Sequence, residues 1–300
     1  MKLSVRHRTH YDYSASASQS LNQICLVPRD TQLQQCLQAS VVVTPAPNSI
    51  DRRQDQYGNS LATFNLTTAH HECDIIINSI VQTAEQLPDL PDSEPVFSNL
   101  DQIATQYSKD ALMAKDCLLS SPSITLDNAV DSIIDELPIA DQPVIEYANK
   151  LMNHIYTTFT YESGFSSLVT PLTDIIAARK GVCQDFAHLA IAVLRRQQVP
   201  ARYVSGYLET LPPPGKTKLQ GADASHAWYS VYCAQHGWFD FDPTNNKRPD
   251  VQYITTAWGR DYADVVPIKG VVYGGGKHDL KVEVDVNRTE VSPILVTETS

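Results

Sequence analysis

The sequence predicts an α+β chain, in which an N-terminal β-sandwich-like domain is followed by a core with one helix packed on an antiparallel sheet. Three observations point there. The first hundred residues carry β-branched runs, an amphipathic helical stripe begins at Phe186, and two strand-like segments flank a short turn near Ala234. With 300 residues, 42% hydrophobic and 19% charged, the chain can bury a large core. It is expected to divide into two domains, residues 1–117 and 118–300.

The runs 39–44 and 74–81 are rich in Val and Ile and read as strands, with Tyr57-Gly58-Asn59 as a hairpin turn between others. Residues 1–8 lack the apolar stretch of a signal peptide and read as a first strand. Three prolines and three acidic residues within 87–95 can continue neither a helix nor a central strand, so they mark the exit from this region. Val144, Tyr147, Ala148, Leu151 and Ile155 then recur at helical spacing.

The next helix is bounded on both sides. Phe186, Leu189, Ala190, Val193 and Leu194 form its inward stripe, Gly181 can turn the chain into it, and Asp185 suits the positive end of the macrodipole. Arg195 and Arg196 suit the other end, and Pro200 stops it. Far downstream, Leu280, Val282, Val284 and Val286 alternate with polar residues as a half-buried strand. The triple glycine 274–276 frees that strand to pair with either the N-terminal domain or the edge of the core sheet.

Cys183 falls at the N-terminal end of the bounded helix, three residues before Phe186 and so on the inward face. Unpaired backbone N–H groups at such an end stabilise a thiolate. A lone cysteine is commonly a small buried hydrophobe, so its partners decide the matter. After the Pro-rich stretch 211–215, residues 226–232 and 236–242 read as two strands. A three-residue loop centred on Ala234 would set His226 directly opposite Asp242, within hydrogen-bond reach. The same register puts Trp228 opposite Asp240 and Ser230 opposite Trp238, with Ala227, Tyr229, Val231, Phe239 and Phe241 on the core face. Asp240 is the fallback orienting residue for His226, and Asp242-Pro243 is also an ordinary strand-ending turn.

A thiol, an imidazole and a carboxylate in that order supply covalent acyl chemistry. The thiolate attacks an amide or ester carbonyl and the imidazole protonates the leaving group, giving a thioester that water or an amine resolves. The backbone N–H of Cys183 is a natural oxyanion donor. Tyr161, Gln184, Trp228 and Asp240 are the further oxyanion or cleft candidates, with Tyr161 as second donor. A zinc reading of Cys183, His188, His226, Cys233 and His236 lacks a paired-ligand spacing, so no metal is expected and His188 reads as a packing residue. Scaffolding or peptide binding without turnover is the alternative from another class.

The net charge of -11 argues against nucleic acid and anionic membrane surfaces as partners. No apolar run approaches the length of a membrane span. Six cysteines, at 25, 36, 73, 117, 183 and 233, lack a framework spacing. They are expected to remain thiols in a cytoplasmic protein.

The chain resembles the transglutaminase-like superfamily, specifically its bacterial cysteine-peptidase branch. The likeness rests on Gly181-Val182-Cys183-Gln184-Asp185, the block 200–207, Ala224-Ser225-His226-Ala227-Trp228, and Gly237-Trp238 leading to Asp242-Pro243-Thr244-Asn245. The block 259–264, with Arg260 and Asp261 as possible cleft neighbours or simple surface charges, is similar too. Residues 7–13, 26–29 and 55–59 resemble the β-rich domain that precedes the core in that branch. The resemblance implies a papain-like core, with Cys183 as nucleophile, His226 as general base and acid, and Asp242 orienting the imidazole. It does not settle the substrate, which is expected to be a peptide or protein amide; the chemistry requires no cofactor, and no acidic loop resembles a dedicated calcium site. Members include cross-linkers, peptidases and amidases; hydrolysis is expected here, with transfer to an amine as the alternative.

Overall fold

The computed structural model describes residues 1–87, 89–139, 142–167, 170–210, 221, 223 and 225–290. The Pro-rich stretch 211–215 and residue Ala224 lie outside these described residues. The chain is mixed α and β, an N-terminal antiparallel sheet followed by a helix-on-sheet core.

The first strands are β1 (Lys2–Ile24), β2 (Gln34–Thr44), β3 (Ile50–Gln54), β4 (Ser60–Leu66) and β5 (His70–Thr83). Four helices follow, α1 (Val96–Thr105), α2 (Lys109–Asp116), α3 (Asp131–Glu136) and α4 (Val144–Thr158). Then come β6 (Thr160–Tyr161), α5 (Leu172–Ala178), β7 (Lys180–Gly181), α6 (Cys183–Arg196), β8 (Ala201–Leu208), β9 (Ser225–Cys233), β10 (Gly237–Phe241) and β11 (Tyr253–Gly259). β12 (Ile268–Gly274) and β13 (His278–Arg288) end the described chain.

β1 organises the first sheet because it is long enough to change partners along its length. Its first part lies between β5 and β13, its last between β4 and β12, and register shifts after Asp12 and Ala17 mark the change. Such irregularities bend a strand. All seven strands therefore form one hydrogen-bonded sheet. The C-terminal strand pairs with the N-terminal region, burying Val284 and Val286, while Leu280 and Val282 stay about half exposed where the sheet runs past its core.

Residues 268–288 belong to the first sheet, whereas α1 and α2 pack against the core, with Ile103, Ala111 and Ala114 against Tyr232 and Ala234 of the β9–β10 hairpin. The C-terminal strand thus closes the N-terminal sheet, one of the two partners the sequence left open for it.

The core sheet runs β10-β9-β8-β11, all antiparallel. α6 lies on β8 and β9, and α3, α4 and α5 cover its other side. The predicted stripe is buried, and so are Ala187, Ile191 and Ala192 on the opposite side. Each fully buried Leu, Val or Phe contributes about 1.5–3 kcal/mol, which fixes the helix start in place. Arg195 is buried rather than placed at the surface, and it donates to the carbonyls of Leu119, Ala201 and Arg260 and to the Ser121 hydroxyl.

β11 is the free edge of the core sheet, and two side-chain amides cover it. Gln34 accepts from Thr255 N–H (2.8 Å) and donates to Thr255 C=O (2.7 Å). Asn59 does the same for Trp258, at 2.9 and 2.7 Å. Each amide imitates a missing strand. The predicted turn at Tyr57-Gly58-Asn59, with Gly58 at φ 77°, brings Asn59 there. Arg29 and Arg202 also stack on Trp258, with guanidinium carbons 3.2 and 3.8 Å from the ring centroid.

Gly206 of β8 pairs with His226 of β9. A Cβ at position 206 would lie 2.0 Å from the Ile254 carbonyl oxygen and 2.6 Å from the Trp228 ring. Backbone on one side and a buried indole on the other leave nothing to give way. Gly206→Ala should therefore destabilise the fold by about 3 kcal/mol, read as a lowered midpoint in urea unfolding. An unchanged midpoint would mean that the two strands separate easily.

Candidate active site

Cys183 is the first residue of α6. Val182, its N-cap, is extended, and the Asp185 carboxylate turns back to accept from Val182 N–H at 2.8 Å and from the Ser166 hydroxyl. This closes the first turn as a capping interaction. Burial raises the Asp185 pKa, against the lowering effect of those two donors. The helix start is thereby held rigidly, with the Cys183 side chain partly exposed.

His226 and Asp242 meet, though by a different register from the one the sequence suggested. The hairpin pairs Gly237 with Cys233, Asp240 with Ser230 and Phe241 with Tyr229, so the loop is Ala234 to His236 and is centred on Gln235. The displacement is an even number of residues, so the two faces are as predicted. Trp228 does not face Asp240 directly, and Asp242 lies past the end of β10. It reaches His226 from the following turn, with Nε2 of the ring 2.7 Å from its Oδ2. Gly237, at φ 87°, carries the signal that would have placed the loop, because three-residue hairpin loops close on a residue of that conformation.

The Asp242 carboxylate is fully buried and surrounded by donors. Oδ2 accepts from His226, from Asn245 Nδ2 (2.7 Å) and from the Tyr253 hydroxyl (2.6 Å). Oδ1 accepts from the backbone N–H groups of Thr244 (2.8 Å) and Asn245 (3.3 Å). Burial disfavours the charge, but these bonds and the His226 charge outweigh it and lower the Asp242 pKa.

The His226 side chain is only 9% exposed. Burial works against its protonation, yet hydrogen bonds and charges from Asp242 and Cys183 prevail and raise its pKa to about 10. Nε2 is taken by Asp242, which leaves Nδ1 for the thiol. The imidazolium is accordingly present through the neutral range, next to Cys183.

The other candidates separate into two groups. Tyr161 is 53% exposed and lies opposite Gly181 in the parallel β6–β7 pair. Burial, and then Cys183, raise its pKa. Gln184 is partly exposed beside Cys183. Trp228, by contrast, is completely buried, so it supports His226 from below rather than lining an open cleft. Asp240 accepts from Trp228 Nε1 (3.1 Å) and Ser230 Oγ (2.5 Å), and it anchors this support instead of orienting His226.

Tyr253 and the Asn245 side chain are the partners that sequence reasoning missed. Both sit beyond the hairpin, and no periodicity links them to it. His188 is a buried packing residue whose Nε2 accepts from Tyr262 N–H, and burial lowers its pKa to about 4. Arg260 chelates Asp264, while buried Asp261 accepts from the backbone of Ala263 and Ser123. Both have structural employment there. Each of the six cysteines is a free thiol.

A family profile for the bacterial transglutaminase-like N-terminal region matches residues 3–82, and one for the transglutaminase-like superfamily matches residues 133–243. The chain is 38% identical over 296 residues to an uncharacterized protein of Mycobacterium tuberculosis, spanning 94% of this chain and 91% of the relative. It is 33% identical over 293 residues to an uncharacterized protein of Mycobacterium leprae, spanning 96% and 99%. Among solved structures it is similar to a Cytophaga hutchinsonii protein named as a candidate cysteine protease. The TM-score is 0.73 at 23% identity, over 100% of this chain and 95% of the other, a likeness of fold.

Proposed function

Because the chain belongs to the transglutaminase-like superfamily, we propose that it is a cysteine-dependent hydrolase of peptide or protein amide bonds. The observation that carries this reading is that His226, held at 2.7 Å by the buried Asp242 carboxylate, has its pKa raised by Asp242 and by Cys183 at the start of α6.

In this mechanism Sγ of Cys183 attacks the amide carbon, forming the C–S bond as the carbonyl π electrons move to oxygen. The oxyanion is held by the Cys183 backbone N–H, one of the first-turn donors without an intrahelical acceptor. The Tyr161 hydroxyl, half exposed beside the thiol, supplies the second donor. As the tetrahedral intermediate collapses, the His226 imidazolium gives its proton to the departing nitrogen and a thioester remains. Neutral His226 then takes a proton from water, which attacks the thioester. Collapse releases the carboxylic acid product and restores the thiolate and imidazolium pair. Asp242 holds the ring orientation throughout.

Turnover of glutamine-containing peptides in the presence of a primary amine tests the reading by product mass. Products that have gained water are expected. Products that gain the amine faster would assign the protein to acyl transfer instead.

A further inference from the structure

We propose that Glu94, Cys233 and His236 form a second site, at the tip of the β9–β10 hairpin, that takes a divalent metal ion of the zinc class. Their ligand atoms all lie within 4.8 Å of one another, and Cys233 Sγ is 3.2 Å from Glu94 Oε2. Zinc to sulfur and oxygen distances of about 2.3 and 2.1 Å place tetrahedral ligand pairs about 3.5 Å apart. The thiol and the carboxylate are therefore already at ligand spacing. His236 lies on the exposed turn, with a ring nitrogen within 4.8 Å of both the thiol and the carboxylate.

The donor set selects the ion. One thiolate, one imidazole and one carboxylate suit zinc and its first-row neighbours, whereas calcium and magnesium take oxygen ligands alone. Three protein ligands leave a fourth position open, and exposure of His236 lets water fill it.

The scaffold is fixed before any ion arrives. Asn99 of α1 donates to the Tyr232 carbonyl (3.2 Å) and accepts from Ala234 N–H (2.7 Å). His236 N–H donates to the Cys233 carbonyl (3.1 Å), and the Glu94 carbonyl accepts from Val144 N–H (3.1 Å). The Cys233 thiol donates to Glu94 Oε2. On loading, the thiol proton leaves to solvent and the S–metal bond replaces the S–H···O contact. Sequence spacing concealed the site because Glu94 comes 139 residues before Cys233. The ion would tie the segment leading into α1 to the hairpin whose strands lead to His226 and Asp242.

Titration of the full chain with cobalt(II), followed by displacement with zinc(II), tests the assignment. A near-ultraviolet thiolate-to-cobalt band saturating at one equivalent is expected in the native chain and in Cys183→Ser. It should vanish in Cys233→Ser and require at least tenfold more cobalt in His236→Ala, an exposed position whose change cannot disturb the core. Absence of the band, its persistence in Cys233→Ser, its loss in Cys183→Ser, or unaltered affinity in His236→Ala would each overturn the proposal.

Discussion

Replacing Cys183 with alanine should reduce amide turnover by about 10⁴-fold or more while leaving thermal stability nearly unchanged. The thiol is partly exposed at the start of α6, so truncation opens no closed cavity, and the cap made by Asp185 does not involve it. Activity that survives the change would remove Cys183 from the reaction. A companion measurement isolates activation from turnover. Alkylation of Cys183 by iodoacetamide, resolved from the other five thiols by peptide mass spectrometry, should already be rapid near pH 6. The sign follows from His226, whose raised pKa of about 10 keeps the neighbouring imidazolium charged at pH 6 and well above it. His226→Ala removes that charge, and labelling should then need more alkaline solution. Equal rates at pH 6 in both proteins would indicate an ordinary thiol and favour a binding or scaffolding role.

Asp242→Asn should lower kcat by about 10²–10⁴-fold and stability by about 1–3 kcal/mol. Asparagine has nearly the same shape, but Asp242 is surrounded by donors on both oxygens. Its NH₂ must therefore oppose either the backbone N–H groups or the side of His226, Asn245 and Tyr253. In the second orientation the ring must accept at Nε2, which places its proton on Nδ1, facing the thiol in the unproductive tautomer. Steady-state rates, thermal melts and the alkylation profile check this together. Rapid labelling at pH 6 should be lost with kcat. A lowered melting point with an intact rate and labelling profile would leave Asp242 as a structural anchor only.

The parts of this site that follow local periodicity could be read from the sequence. Phe186, Leu189, Ala190, Val193 and Leu194 place Cys183 at a helix start because a 3.6-residue repeat fixes both the face and the end. Alternation along β9 and β10 gives the correct faces even with the loop misplaced, since a displacement by an even number of residues leaves side-chain parity intact. Direct opposition of His226 and Asp242 did not survive that displacement; the turn after β10, with Tyr253 and Asn245, makes the contact instead. These donors lie three and eleven residues beyond Asp242, in a turn and at the start of β11, where no helical or strand repeat sets the geometry. Likewise the pairing of β1 with β13 was open to either sheet, because strand alternation reveals a buried face but not the neighbour along the hydrogen-bonding edge.

The place of β13 beside β1 also imposes an order on synthesis. When Thr83 of β5 has left the ribosome, one side of β1 can pair, but the other must await His278 and the residues after it. At about 5–20 residues per second, that interval lasts roughly 10–40 s. For that time the nascent chain carries an open β edge, the kind of surface that recruits foreign strands. The core helices and their sheet emerge meanwhile, and the first sheet to begin is among the last to be finished.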